Sequence, residues 1–189
     1  MSRLLLRTIE DAPEETKASL NSVKSRNGYL PNLLRILANA PIALEAYLTV
    51  SGINTRGSLS IAEREAVQIT AAVTHGCGFC VAGHTVVAYK KAGLDEETVQ
   101  ALRSLQPVSD PRINAVAVFT RAVIRSRGRV LDEELAGFRD TGFNDTAALE
   151  VVLGVSLATL CNFANNLGQP PLNPELEPYQ WTNAESVVS

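Results

Sequence analysis

A His75-Gly76-Cys77-Gly78 break splits an otherwise helical run, and it constrains what the chain can fold into more than any other stretch. Upstream, Ser60-Ile-Ala-Glu63 is a capping box, a serine N-cap with glutamate at N3, so a helix is expected to follow through Thr74. Downstream, a second helix is expected from Phe79 to Ala92, with Gly93 at the left-handed C-cap. If the break folds these helices antiparallel, they form a hairpin spanning residues 57–93. That short run holds both histidines, two of the three cysteines and Glu65.

The remaining punctuation is also helical. Pro13 to Lys24 reads as a first helix with Glu14 and Glu15 in its opening turn, behind a loose arm, so residues 1–27 form an N-terminal arm and helix. Short helices follow at Asn32 to Ala38 and from Pro41, the latter with Leu44, Leu48 and Ile53 facing inward. Asp95 caps a segment ended by Pro107, and Asp110-Pro111 is an N-cap followed by proline at N1. The next helix buries Ile113, Val116, Phe119 or Thr120, Val123 and Ile124 at a 3.6-residue period, and Gly128 closes it. A helix from Asp132 to Asp140 and a long apolar one from Asp145 through Thr159 complete the series. Residues 170–189 read as an extended, proline-rich tail, pinned by Tyr179 and Trp181. No alternating strand pattern occurs, and the expected class is all-α.

Composition narrows the function. Length suits a single domain over residues 1–189, and 46% apolar residues are enough to bury a core. A net charge of −3 gives no basic footprint for nucleic acid. The N-terminal apolar run is too short for a signal core, and no uncharged apolar stretch reaches about 18 residues, so neither export nor a membrane partner is expected. The expected compartment is the reducing cytosol (cytoplasmic), where three cysteines suit catalysis, redox sensing or metal binding better than a structural staple.

A shift of 85 residues lays Gly57–Glu65 on Gly142–Glu150 and Gly83 on Gly168. The same shift places Cys77 and Cys80 on Asn162 and Asn165, and His84 on Gln169. The expectation is two pseudo-symmetric helical-hairpin copies, 57–93 and 142–169, of which only the first can cycle electrons.

On a helix starting near Cys77, Cys80 and His84 share its face, and Cys80 and His84 are i, i+4 neighbours. Unpaired N–H groups at the helix start favour a thiolate and can lower a thiol pKa from about 8.5 to between roughly 3.5 and 7.5. Glu65 lies about 16 Å before Gly76 along one helix and His84 about 12 Å after it along the other, so an antiparallel hairpin brings them level. A carboxylate there orients the imidazole and raises its basicity. The implied relay runs from Glu65 to His84 to Cys80, with Cys77 placed to close a disulfide.

These residues also carry a resemblance. Glu65, the CxxC twelve positions on and His84 four after Cys80 resemble the alkylhydroperoxidase D (AhpD) branch of the carboxymuconolactone decarboxylase superfamily. The likeness extends from Gly28 to Trp181 and includes GYLPNLLR, AEREAVQITAAV and the Phe163–Pro171 ending. It implies an AhpD-like, all-helical homo-oligomer that reduces hydroperoxides. Cys80 would be the peroxidatic thiol, Cys77 the resolving thiol, His84 and Glu65 the proton relay, and an external dithiol or redox protein the reductant. No organic or metal cofactor is required. Phe79 departs from the pattern, since some members carry histidine there.

Other readings compete. Cys77, Cys80 and His84 offer three zinc ligands with His75 as a fourth. Glu150 repeats Glu65 where no CxxC follows, so a scaffold role for Glu65 competes with the catalytic one. Cys161 reads as a core cysteine, His75 as a helix-terminal residue favoured by the dipole, and Arg121, Arg125, Arg127 and Arg129 as a solvated cluster. A decarboxylase or other non-redox enzyme, or a non-enzymatic dithiol sensor, are the alternative functions.

Overall fold

The computed structural model describes residues 2–182, and among these no strand occurs. The part of the tail at 183–189 lies outside the described residues. Nine α-helices run in order: α1 Glu14–Asn27, α2 Asn32–Leu37, α3 Pro41–Asn54, α4 Ile61–Thr74, α5 Gly78–Val87, α6 Glu96–Arg103, α7 Pro111–Ser126, α8 Asp132–Asp140 and α9 Asp145–Gly168. The expected all-α class holds, and most boundaries follow from local chemistry. Ser60 and Glu63 close a reciprocal box, with Glu63 N–H donating to Ser60 Oγ at 3.2 Å and Ser60 N–H to Glu63 Oε2 at 2.7 Å. Asp95, Asp110 and Asn144 cap α6, α7 and α9 in the same way.

Helix α4 is the hub. It packs against α5, α7 and α9, and from Glu65 to Ala72 every residue is buried, so it is enclosed on all sides rather than amphipathic. One core joins α4 to α6, α7, α8 and α9, where Phe119, Phe138 and Phe143 stack with centroids 4.4 Å apart and Arg112 lies 4.0 Å over Phe143. The second core joins α1, α2, α3 and α5 and contains all three cysteines. Helix α9 crosses α4 so closely that a Cβ at Gly154 would sit 2.9 Å from Val67 Cγ1. By length and composition α9 could cross a membrane; here α2, α3, α4, α5 and α7 all pack on it.

Four expectations require correction. Ile53 is 42% exposed and does not face inward, because α3 ends in a polar turn one residue later. The second helix of the hairpin is α-helical only to Val87; Ala88–Ala92 is a π turn, which Gly93 ends at φ 68° as expected. Helix α9 does not stop near Thr159 but runs unbroken to Gly168, so residues 142–169 form a turn and one straight helix instead of a hairpin. The shift of 85 residues puts Cys161 where Gly76 stands, and without a glycine to reverse the backbone the helix continues. The tail is not fully extended, since Pro174–Tyr179 form a 3₁₀ turn packed on α5.

Candidate active site

The break in the hairpin is built from two helix ends that share four residues. Gly76 adopts φ 66°, and the hydrogen bonds Cys77 N–H to Ala72 O at 2.8 Å and Gly76 N–H to Val73 O at 3.0 Å form a Schellman motif that ends α4. Cys77 then caps α5, its sulfur accepting the Cys80 N–H at 3.4 Å. A single turn thus reverses the chain and sets both sulfurs at the positive end of α5. Both thiols are free and buried, with Cys77 at 1% and Cys80 at 5% exposure.

The antiparallel return brings Glu65 level with His84, and Oε2 meets Nδ1 at 2.8 Å. Burial pulls the imidazole pKa down, but the charge and hydrogen bond of Glu65, together with charge on Cys77, outweigh it and leave the pKa raised. Glu150, the residue 85 positions on, does different work: its carboxylate accepts from the Ser58 and Leu59 N–H groups and closes the turn before α4. The resemblance between the two glutamates is therefore positional, and only Glu65 reaches an imidazole.

The thiol electrostatics differ from the sequence expectation. Cys77, not Cys80, has the depressed pKa, because it accepts hydrogen bonds from the Cys80 thiol and the Cys80 N–H, while Asn165 and the His84 charge add to the effect. Cys80 is pushed up as the donor of that thiol hydrogen bond and by burial. His84 makes its hydrogen bond to Glu65 and none to Cys80. Helical i, i+4 spacing alone therefore does not give the direct imidazole–thiol contact expected from the sequence. Of the two sulfurs, the one that caps the helix has its pKa lowered.

Cys80 and His84 nevertheless face one cavity of about 210 Å³, walled by Leu34, Tyr47, Phe79 and Cys161 among others. Cys77 lines a separate crevice with Phe79, Asn165 and Asn166. Sequence reasoning missed three of these contributors. Asn165 donates to Cys80 Sγ at 3.2 Å; the internal repeat puts it at the position equivalent to Cys80, which was the available signal. Tyr47 comes from a helix with no motif. Cys161 is buried as expected, but it also lines the cavity, and burial pushes its pKa to about 12.

His75 stays outside this cavity. It stacks edge-on against Phe163 at 5.1 Å, and burial lowers its pKa, so packing rather than a charge–dipole attraction holds it at the end of α4. Of the arginine cluster, Arg125, Arg127 and Arg129 are exposed as expected, Arg125 pairing with Glu134, while half-buried Arg121 donates to Leu105 O. The tail is anchored as expected, with Trp181 Nε1–H donating to Arg103 O at 3.1 Å and Arg103 bonding back to the Tyr179 and Gln180 carbonyls. Among the described residues no cluster of three or more His, Cys, Asp or Glu is arranged to hold a metal ion.

Residues 41–122, which include Glu65, Cys77, Cys80 and His84, match the carboxymuconolactone decarboxylase family. None of the curated proteins matches the sequence. Among solved structures, a peroxidase-related protein of Ralstonia eutropha JMP134 with an alkylhydroperoxidase AhpD core superposes with TM-score 0.82 at 20% identity, covering 93% of this chain and 94% of that one. A peroxidase-related protein of Silicibacter sp. TM1040 gives 0.78 at 20% identity, with 92% of each chain covered. The debrominase Bmp8, in complex with 2,3,4-tribromopyrrole, gives 0.78 at 14% identity, covering 95% and 96%. The chain thus has an AhpD-like fold, and its dithiol hairpin lies within the segment that matches the carboxymuconolactone decarboxylase family.

Proposed function

We propose that the protein is a thiol-dependent hydroperoxide reductase cycling Cys77 and Cys80 between dithiol and disulfide. One observation carries the reading: a free, cavity-lining Cys80 shares its chamber with an imidazole held by a carboxylate at 2.8 Å, and a second thiol caps the same helix turn.

The reacting form of the reduced pair carries one proton, with the Cys80 thiol donating it to the Cys77 sulfur, whose pKa is lowered. As a hydroperoxide enters the chamber, that proton passes to the Cys77 sulfur and the Cys80 thiolate attacks the distal oxygen. The O–O bond breaks, an S–O bond forms, and the departing alkoxide takes a proton from the His84 imidazolium, leaving as alcohol. Cys80 is now a sulfenic acid. Cys77 attacks its sulfur, the S–S bond forms, and hydroxide leaves as water with the Cys77 proton. An external dithiol then attacks the disulfide from the Cys77 crevice, restores both thiols and is itself oxidised. After reduction one of the two restored thiol protons returns to His84, whose orientation and raised pKa Glu65 maintains, and Asn165 steadies charge on Cys80. Neither a metal nor an organic cofactor enters any step.

Assembly as a cytosolic homo-oligomer is part of the proposal. Helix α9 leaves a stripe of apolar side chains outward, Leu149 at 70%, Val152, Leu160, Phe163 at 55% and Leu167, which a second copy of α9 would cover.

The test is steady-state hydroperoxide consumption with a panel of dithiol donors. Multiple turnover with at least one donor, abolished in Cys80→Ser, supports the assignment. Undiminished consumption in Cys80→Ser refutes it. Disulfide formation without turnover with any donor would make the protein a sensor instead.

A further inference from the structure

We infer that the substrate cavity is built for a hydroperoxide that carries a carboxylate, a specificity that rests on the redox reading of Cys80 above. The apolar chamber holding Cys80 and His84 adjoins an outer chamber of about 870 Å³, and Arg26, Tyr47, Leu48, His84 and Cys161 line both. The outer chamber's ionisable lining is three basic side chains, Arg26, Arg64 and Lys91, against one carboxylate, Glu65. Glu65 is bound to His84, and three basic side chains against one carboxylate leave the mouth net basic on a chain whose overall charge is −3.

These cations differ in how far the protein already uses them. Arg64 donates to the Leu59 carbonyl from a half-buried position. Arg26 and Lys91 are exposed and, among the described residues, form no ion pair. Arg26 lines the inner chamber as well as the outer one, so it marks the boundary between apolar walls and charged mouth. At the same boundary the Tyr47 hydroxyl makes no hydrogen bond among the described residues, and burial raises its pKa, which keeps it a donor. A ligand matching this sequence of environments has an anionic head, a short apolar body and a reactive group at the far end. An arginine fork suits a carboxylate, with two parallel N–H donors for its two oxygens. The hydroperoxide then lies against Cys80 while Arg26 and Lys91 hold the acid at the mouth.

The experiment compares a medium-chain hydroperoxy acid with its methyl ester, in the wild type and in an Arg26→Ala/Lys91→Ala double variant. A charge-assisted contact predicts a kcat/KM ratio, acid over ester, of about ten in the wild type. The ratio falls towards one in the double variant and shrinks with added salt. A wild-type ratio of one, or a ratio that the double variant leaves unmoved, overturns the inference. A second readout works without turnover: protection of the thiols from iodoacetamide by the corresponding hydroxy acid and by its methyl ester. If neither hydroperoxide is reduced, the peroxidase reading fails and protection decides. Better protection by the acid, lost in the double variant, upholds the anion site; equal protection by acid and ester overturns it.

Discussion

Glu65 and His84 stand nineteen residues apart, and the reversal at Gly76 brings Glu65 Oε2 to 2.8 Å from His84 Nδ1. The pair raises the imidazole pKa against the opposing effect of partial burial. Glu65→Gln keeps a hydrogen-bonding side chain but removes the charge, so His84 loses its raised pKa. Hydroperoxide kcat/KM is expected to fall about ten- to a hundredfold, short of the ~10²–10⁴ supplied by a direct acid–base group. Glu150→Gln, by contrast, is expected to lower stability with kcat/KM little changed. Steady-state kinetics on both variants make the distinction.

The same ion pair gives a pH-dependent stability. His84 is raised in the fold, so its contribution is fully present below the unfolded histidine value of about 6.5 and is lost as pH climbs through the higher folded value. Urea unfolding of wild type and His84→Asn across that window is expected to show the gap between them narrowing as pH rises. A gap that widens with pH would contradict the assignment.

Asn165 donates to Cys80 Sγ at 3.2 Å, and its Oδ1 is buried without a partner. Asn165→Ala removes a donor that favours the thiolate, so the rate of Cys80 oxidation by hydroperoxide is expected to drop about three- to tenfold, one neutral hydrogen bond's worth. Stopped-flow oxidation of the reduced protein measures it.

Gly78 opens α5 beneath the tail, and a Cβ there would lie 2.9 Å from the Trp181 carbonyl oxygen. Gly78→Ala is expected to lift the tail and destabilise the fold by about 1–3 kcal/mol. Trp181 is the only tryptophan, so its fluorescence should shift to the red as the indole leaves Arg103.

If α9 is the contact between copies, Leu149→Glu/Val152→Glu is expected to convert the oligomer to a monomer in size-exclusion chromatography with light scattering. An unchanged mass would place the interface elsewhere.

Much of the fold was legible because it is written locally. Ser60 with Glu63, Asp95, Asp110-Pro111 and Gly93 each set a helix end through a bond to a near neighbour. The meeting of Glu65 and His84 was legible too, since two rises of 1.5 Å per residue from one turn fix the level of each. What the sequence hid depends on three-dimensional surroundings. Tyr47 and Cys161 reach the cavity through the packing of α3 and α9, which no spacing encodes. The lower pKa of Cys77 follows from the Cys80 thiol and the Cys80 N–H both donating to its sulfur. The straightness of α9 turned on Cys161 occupying the position of Gly76 in the shifted alignment, a detail legible only once the role of Gly76 is known.

The central claim is that Cys80 takes oxygen from a hydroperoxide and Cys77 then closes the disulfide. Mixing fully reduced protein with one equivalent of an organic hydroperoxide, without reductant, tests it most directly. The prediction is one equivalent of alcohol and a Cys77–Cys80 disulfide in the wild type, alcohol with a trapped Cys80 sulfenic acid in Cys77→Ser, and neither product in Cys80→Ser. Full alcohol yield from Cys80→Ser, or a wild type that leaves the hydroperoxide intact with both thiols free, would contradict it.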